Sequence, residues 1–164
     1  VRKFGRIYLY NDLSIINSTH GPEPLGINFT LQLFKKMLSQ RKRNIKALLL
    51  DQSFLSGLGN IYVDESLWKS GIHPDSLANS IPQKRIEALH SNIISTLKEA
   101  IDKKGTTIID FSVNGESGKY SNSLRIYGRN EKACFNCGYT IKKLKIAGRG
   151  TYVCFKCQKK YTKG

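Results

Sequence analysis

Apolar residues recur at helical intervals through the middle of the chain, and the breaks between these runs fall at glycine, proline and polar clusters. Leu31, Phe34, Met37 and Leu38 share one helix face with Lys35 and Lys36 between them, and Asn28 is the residue expected to cap the start. A polar, basic joint over residues 39–44 follows. Ile45, Leu48 and Leu49 then open a second, short helix ending near Asp51. Gly57 and Gly59 argue against helix over 53–60, since each glycine costs a helix interior about 1 kcal/mol relative to alanine. Helix resumes over 61–70 and stops at Gly71-Ile72-His73-Pro74. After Ser80, Ile86, Leu89, Ile93, Leu97 and Ile101 keep one face of a longer helix apolar as far as Gly105.

The two ends read differently. Residues 1–10 set Phe4, Ile7 and Leu9 among basic and tyrosine residues in the manner of a strand. Residues 11–26 read as loop, because Gly21-Pro22-Glu23-Pro24 opposes regular structure. Residues 106–111 are β-branched and read as extended, and 112–122 are rich in glycine and serine and read as a mobile loop. Beyond Leu124, residues 139–146 and 151–153 are expected to pair as a hairpin turning at Gly148-Arg149-Gly150.

That hairpin lies between the four cysteines of the chain. Cys134 and Cys137 form one C-x2-C pair and Cys154 and Cys157 a second, with sixteen residues between the pairs. This is the ligand spacing of one tetrahedral, structural Zn2+ held on two knuckles. Two disulfides are the rival use of four cysteines, but no signal peptide is recognisable and no other cysteine suggests an oxidising compartment. The segment carries too little apolar mass to fold unaided, so metal binding there is also folding energy.

Charge narrows the partner. The chain carries 27 Lys and Arg against 12 Asp and Glu, a net +15 on 164 residues. The excess is concentrated: residues 119–164 hold twelve bases and the single acid Glu131, and 28–50 hold six bases and no acid. Two separate basic regions suit a polyanion gripped at two places. No apolar run reaches the length needed to cross a bilayer, so no membrane partner is expected.

The segment from Leu48 to Glu65 joins a helix, two tight turns and a helix. Glycines there let backbone amides approach a phosphate, and Asn60 adds a side-chain donor where the helix dipole favours an anion. Tight interhelical packing would use the same glycines. Taken with Val1-Arg2-Lys3-Phe4-Gly5, Gly21-Pro22-Glu23-Pro24-Leu25, Lys46 to Gln52, Gly59-Asn60-Ile61-Tyr62, Gly71-Ile72-His73-Pro74, Tyr127-Gly128-Arg129 and Ala147-Gly148-Arg149-Gly150, the chain resembles the formamidopyrimidine-DNA glycosylase family from Val1 to about Lys160.

The resemblance implies a mainly α fold with a small β zinc module. Residues 1–26 would be the last strand and linker of a β-sandwich domain, 27–127 a helix-two-turn-helix DNA-binding domain with a lesion-capping loop at 112–122, and 128–164 a zinc finger. It implies a bacterial cytoplasmic, nucleoid-associated enzyme, monomeric and without an obligate protein partner. Such an enzyme flips an oxidised purine out of double-stranded DNA, cuts its glycosidic bond and nicks the strand at the abasic site. By the same resemblance, Asn60 and Lys46 hold phosphates near the lesion, and Arg41 and Lys3 make further backbone contacts. Tyr127 and Arg129 also face DNA, and Arg2 with Phe4 fills the gap left by the flipped base. Arg149 is the proton donor of the second elimination. Phe4 as a core aromatic and Lys46 as a solvated helix lysine are the plainer uses of those two side chains.

The chain departs from the family where the chemistry begins. The family's amino-terminal proline nucleophile, the glutamate after it and a lysine of the β-sandwich have no counterparts here. Val1 matches the middle of the family's sequence. The chain is therefore expected to be a fragment, or a natural remnant, that binds damaged DNA without cutting it. A non-catalytic zinc-ribbon binder of RNA or of the ribosome is the reading from a different class.

Overall fold

The computed structural model describes residues 8–12, 14–106, 112–113 and 116–162. The expected strand falls largely outside these residues, and Tyr8 to Tyr10 are irregular. Residues 11–26 are not all loop: α1 spans Ser14–Thr19, started by the Asp12 carboxylate, which accepts from the Ser14 backbone N–H at 2.8 Å and from its hydroxyl at 2.5 Å. The Pro22 region is stitched onto the next turn, with Gly21 N–H on the Gln52 carbonyl at 2.8 Å and Ser56 N–H on that of Pro22 at 3.1 Å.

Helix α2 spans Leu31–Ser39 and is capped by Thr30, whose hydroxyl accepts from Leu33 N–H; Asn28 lies outside the helix. Asn44 caps α3, Ile45–Leu49, through Ala47 N–H. Helix α4 covers Asn60–Lys69 and α5 covers Gln83–Asp102, with a 3-10 turn at Ala78–Ser80 between them. Ile86, Leu89, Ile93 and Leu97 of α5 are buried as expected, but Ile101 is 62% exposed and Ala100 takes the last inward position. The 3.6-residue turn carries Ile101 off the stripe, and the smaller Ala100 lies on the inward side instead.

The main core joins Phe29, Phe34, Leu38, Ile45, Leu49, Leu55, Val63, Leu67, Ile72 and Leu89. Helix α4 is its centre: Val63, Asp64, Glu65, Ser66 and Leu67 are buried in succession, so this helix has neighbours on every side. One side is α5. Another is a two-stranded ribbon, β3 over Lys142–Ile146 and β4 over Arg149–Val153, which closes a second cluster of Ile126, Cys134, Ile141 and Cys154. Ile146 pairs with Arg149 across Ala147 and Gly148, whose φ of 52° and 71° make the two-residue turn that matches strand twist. The turn is therefore one residue earlier than expected, and Arg149 begins β4.

The region expected to be a mobile loop is partly anchored. Strand β1, Ser112–Val113, pairs with β2, Glu116–Ser117; Lys119 N–H bonds the Lys103 carbonyl at 2.9 Å, and Tyr120 is fully buried against Tyr62. A Cβ on Gly118 would lie 2.2 Å from the Gly105 carbonyl oxygen, so that approach requires glycine. The ribbon's tail is also sewn to the helices. His73 N–H bonds the Lys159 carbonyl, Leu77 N–H that of Tyr161, and the Gln158 amide links Cys154 N–H to the Ile72 carbonyl.

Candidate nucleic-acid interface and metal centre

The chain enters α4 through Gly57, held at φ 79°, whose N–H is bound by the Gln52 side chain at 2.8 Å. Gly59 is extended at the N-cap and offers no side-chain cap. The first-turn amides of α4 therefore have no side-chain acceptor from that position, and the positive end of the helix dipole faces outward, the arrangement that favours a phosphate. The Asn60 amide stands at this mouth and donates to the Gly150 carbonyl at 3.1 Å. Gly150 follows Arg149, which is exposed at the start of β4. Asn60 and the residue following Arg149, expected separately as parts of the DNA site, are thus brought together from positions far apart in the chain.

Lys46 is placed otherwise than expected. It is 0% exposed, and its ammonium donates to Asp64 Oδ1 at 2.6 Å, Thr151 Oγ1 at 2.7 Å and the Gly150 carbonyl at 3.3 Å. Three donors meet three acceptors, leaving none for a phosphate. Lys46 is a strut under the β4 strand, neither a DNA ligand nor a solvated helix lysine. Burial pushes the Asp64 carboxyl up to about 6 against the opposing pull of Lys46, and burial likewise lowers the Lys46 ammonium.

Arg41 is exposed in the joint between α2 and α3. Tyr127 is half-buried with its ring edge-on to Tyr152 at 5.0 Å. The Arg129 guanidinium stacks on Phe135 at 3.8 Å and donates to the Ala133 carbonyl, so it braces the first cysteine knuckle. Arg2, Lys3 and Phe4 lie outside the described residues.

Sequence reasoning named Asn60 for phosphate contact and missed the other side chains that hold these parts together. Asn60, Asp64 and Trp68 fall four residues apart on one face of α4 and meet the ribbon at the Gly150 carbonyl, the Tyr152 N–H and the Cys134 cluster respectively. Glu65 takes the crossing segment: its carboxylate accepts from the N–H groups of Arg125, Ile126 and Tyr127 at 2.9–3.0 Å. Two consecutive acids in a helix that emerges from a glycine turn were the available cue.

The four cysteines are free of disulfides and their sulfurs all lie within 4.8 Å of one another. Cys134 and Cys157 sulfurs are 3.9 Å apart and those of Cys137 and Cys154 3.5 Å. Four metal–sulfur bonds of about 2.3 Å in a tetrahedron place sulfurs about 3.8 Å apart, whereas a disulfide needs about 2.05 Å. The donor set fits a metal ion. Knuckle N–H groups support it: those of Asn136 and Cys137 act on Cys134, and those of Cys157 and Lys156 on Cys154.

Taken together, fold and site define a helix-two-turn-helix domain that carries a four-thiol metal finger on its central helix. The profile of the formamidopyrimidine-DNA glycosylase H2TH domain matches residues 20–112, and the chain belongs to that family. It is 45% identical to the formamidopyrimidine-DNA glycosylase of Lactobacillus gasseri, over 98% of this chain and 60% of the relative. With that of Protochlamydia amoebophila it shares 43%, over 97% and 59%. The Lactococcus lactis Fpg in complex with DNA containing an abasic site superposes with a TM-score of 0.84 at 41% identity, over 90% of this chain and 54% of that one. The chain thus spans about 60% of the length of these curated relatives.

Proposed function

We propose that the chain is the damaged-DNA-binding part of a bifunctional DNA glycosylase and abasic-site lyase of bacterial base-excision repair. Its lesions are oxidised purines, 8-oxoguanine and formamidopyrimidines, and its finger holds one structural Zn2+. It works in the cytoplasm, on the nucleoid, as a monomer. The observation that carries this reading is the Gly150 carbonyl held by Asn60 beside the exposed Arg149. One backbone atom fixes a phosphate-favouring helix start next to a cation that can reach the damaged nucleotide.

Phosphates flanking the lesion take the first-turn amides of α4 and the Asn60 amide, with Arg41 as an outer contact. Arg149 approaches the opened site from β4, where a guanidinium can stabilise or protonate a leaving phosphate oxygen. Lesions in solved relatives support the substrate class: one is the Lactococcus lactis Fpg mutant G226P with DNA containing Fapy-dG, and another is MutM with DNA containing carbocyclic 8-oxo-G. Titration of the zinc-loaded chain against an abasic-analogue duplex, the intact duplex and single-stranded RNA tests the reading. Preference for the abasic duplex is expected. Equal affinity for all three would overturn it in favour of a general nucleic-acid ribbon.

A further inference from the structure

Trp68, the one tryptophan of the chain, lies in the last turn of α4 and packs against the cluster containing Cys134 and Cys154. Its indole Nε1 is enclosed, yet closes no full hydrogen bond among the described residues. An unpaired buried donor is costly, and native chains rarely keep one without a use. The acceptor beside it is sulfur. Beside the indole lies the Cys134 sulfur, which the Asn136 and Cys137 backbone N–H groups also approach. A neutral thiol is a weak acceptor, whereas a metal-bound thiolate carries the negative charge that an N–H group seeks.

We propose that Trp68 donates its indole N–H to the metal-bound Cys134 thiolate, an outer-sphere bond that ties the four-cysteine site to the helix whose first residue is Asn60. The inference rests on the metal reading of those cysteines. The donors from Asn136, Cys137, Cys157 and Lys156 come from the knuckles themselves, and Asn136 Nδ2 lies 3.3 Å from the Cys157 sulfur. Trp68 is the contribution from the helical core. It extends the stripe already formed by Asn60 and Asp64, so one face of α4 touches the ribbon at its tip, its middle and its metal. Trp68 is in this sense a positioning residue for the finger.

Trp68→Phe keeps an aromatic ring in place and removes the donor. In the cobalt-substituted chain the thiolate-to-metal charge-transfer band should move to lower energy, because the sulfur lone pair loses its hydrogen bond. Transfer of zinc from the variant to a chromogenic chelator should be about tenfold faster, at the lower end of what outer-sphere partners are worth. A merely structural role would leave the charge-transfer energy unmoved. Should the variant fail to fold, the wild-type chain loaded with cadmium-113 supplies the second measurement. Its single indole N–H resonance should show scalar coupling to the metal, and absence of that coupling would overturn the proposal. Failure of the wild-type chain to give any tetrahedral cobalt–thiolate spectrum would overturn the metal reading as well; a normal spectrum unchanged by Trp68→Phe would overturn only the role of Trp68.

Discussion

Replacing Glu65 with alanine tests how the helical and metal-binding halves are joined. Its carboxylate is fully buried and accepts from three successive backbone N–H groups, with Arg125 shared between both oxygens. Ile126 is itself buried, so its N–H has no water to turn to once the carboxylate is gone; those of Arg125 and Tyr127 lie in part-exposed residues and recover some hydration. One orphaned buried amide at about 1–3 kcal/mol, plus two charge-assisted bonds of about 1.5–3 kcal/mol each that partial rehydration offsets in part, gives a loss of roughly 3–6 kcal/mol. Glu65→Gln keeps one acceptor oxygen and should lose about 2 kcal/mol. Urea unfolding of the zinc-loaded chain, followed by Trp68 fluorescence and far-ultraviolet circular dichroism, reads both values. An alanine variant within about 1 kcal/mol of the parent would show that the carboxylate does not hold this crossing.

Because the Asp64 carboxyl is raised to about 6, the fold binds its proton more tightly than the unfolded chain does. This contribution is full below about pH 4 and is lost as pH rises through about 6, a change of roughly 3 kcal/mol. Asp64→Asn should flatten that part of the stability–pH curve, and an unchanged slope would count against the assignment. Chelating the metal should weaken protection from hydrogen exchange at His73 and Leu77 as well as in the ribbon, since the Lys159 and Tyr161 carbonyls bind those two amides; loss confined to residues after 128 would contradict the coupling. Affinity for abasic duplex should fall roughly forty-fold between 50 and 200 mM salt if three phosphates are neutralised, and a flat response would remove the polyanion argument.

Much of the architecture was legible because it rests on local rules. The apolar spacing of Phe34 and Leu38, the Gly71 stop and the C-x2-C pairs each act over a few residues, and each is found where expected. What escaped depends on partners far along the chain. Lys46 looks like one more base in a basic stretch; only the fold shows Asp64, eighteen residues on, and Thr151, more than a hundred residues on, closing over it. Asp64 and Glu65 have the composition of a solvated helix face and lie at the centre of the molecule instead. The turn at Ala147 escaped because an alanine at positive φ is costly, and the register with Arg149 pins it there.

In the proposed function the start of α4 and the start of β4 act on DNA as one surface through the Gly150 carbonyl. A double-mutant cycle with Asn60→Ala and Arg149→Ala, read as affinity for an abasic-analogue duplex at fixed salt, measures that directly. Each single change should cost about 1–3 kcal/mol, and the pair should fall short of the sum by at least about 1 kcal/mol. Losses that add to within about 0.5 kcal/mol would mean that the two residues work independently, and the shared surface would be wrong.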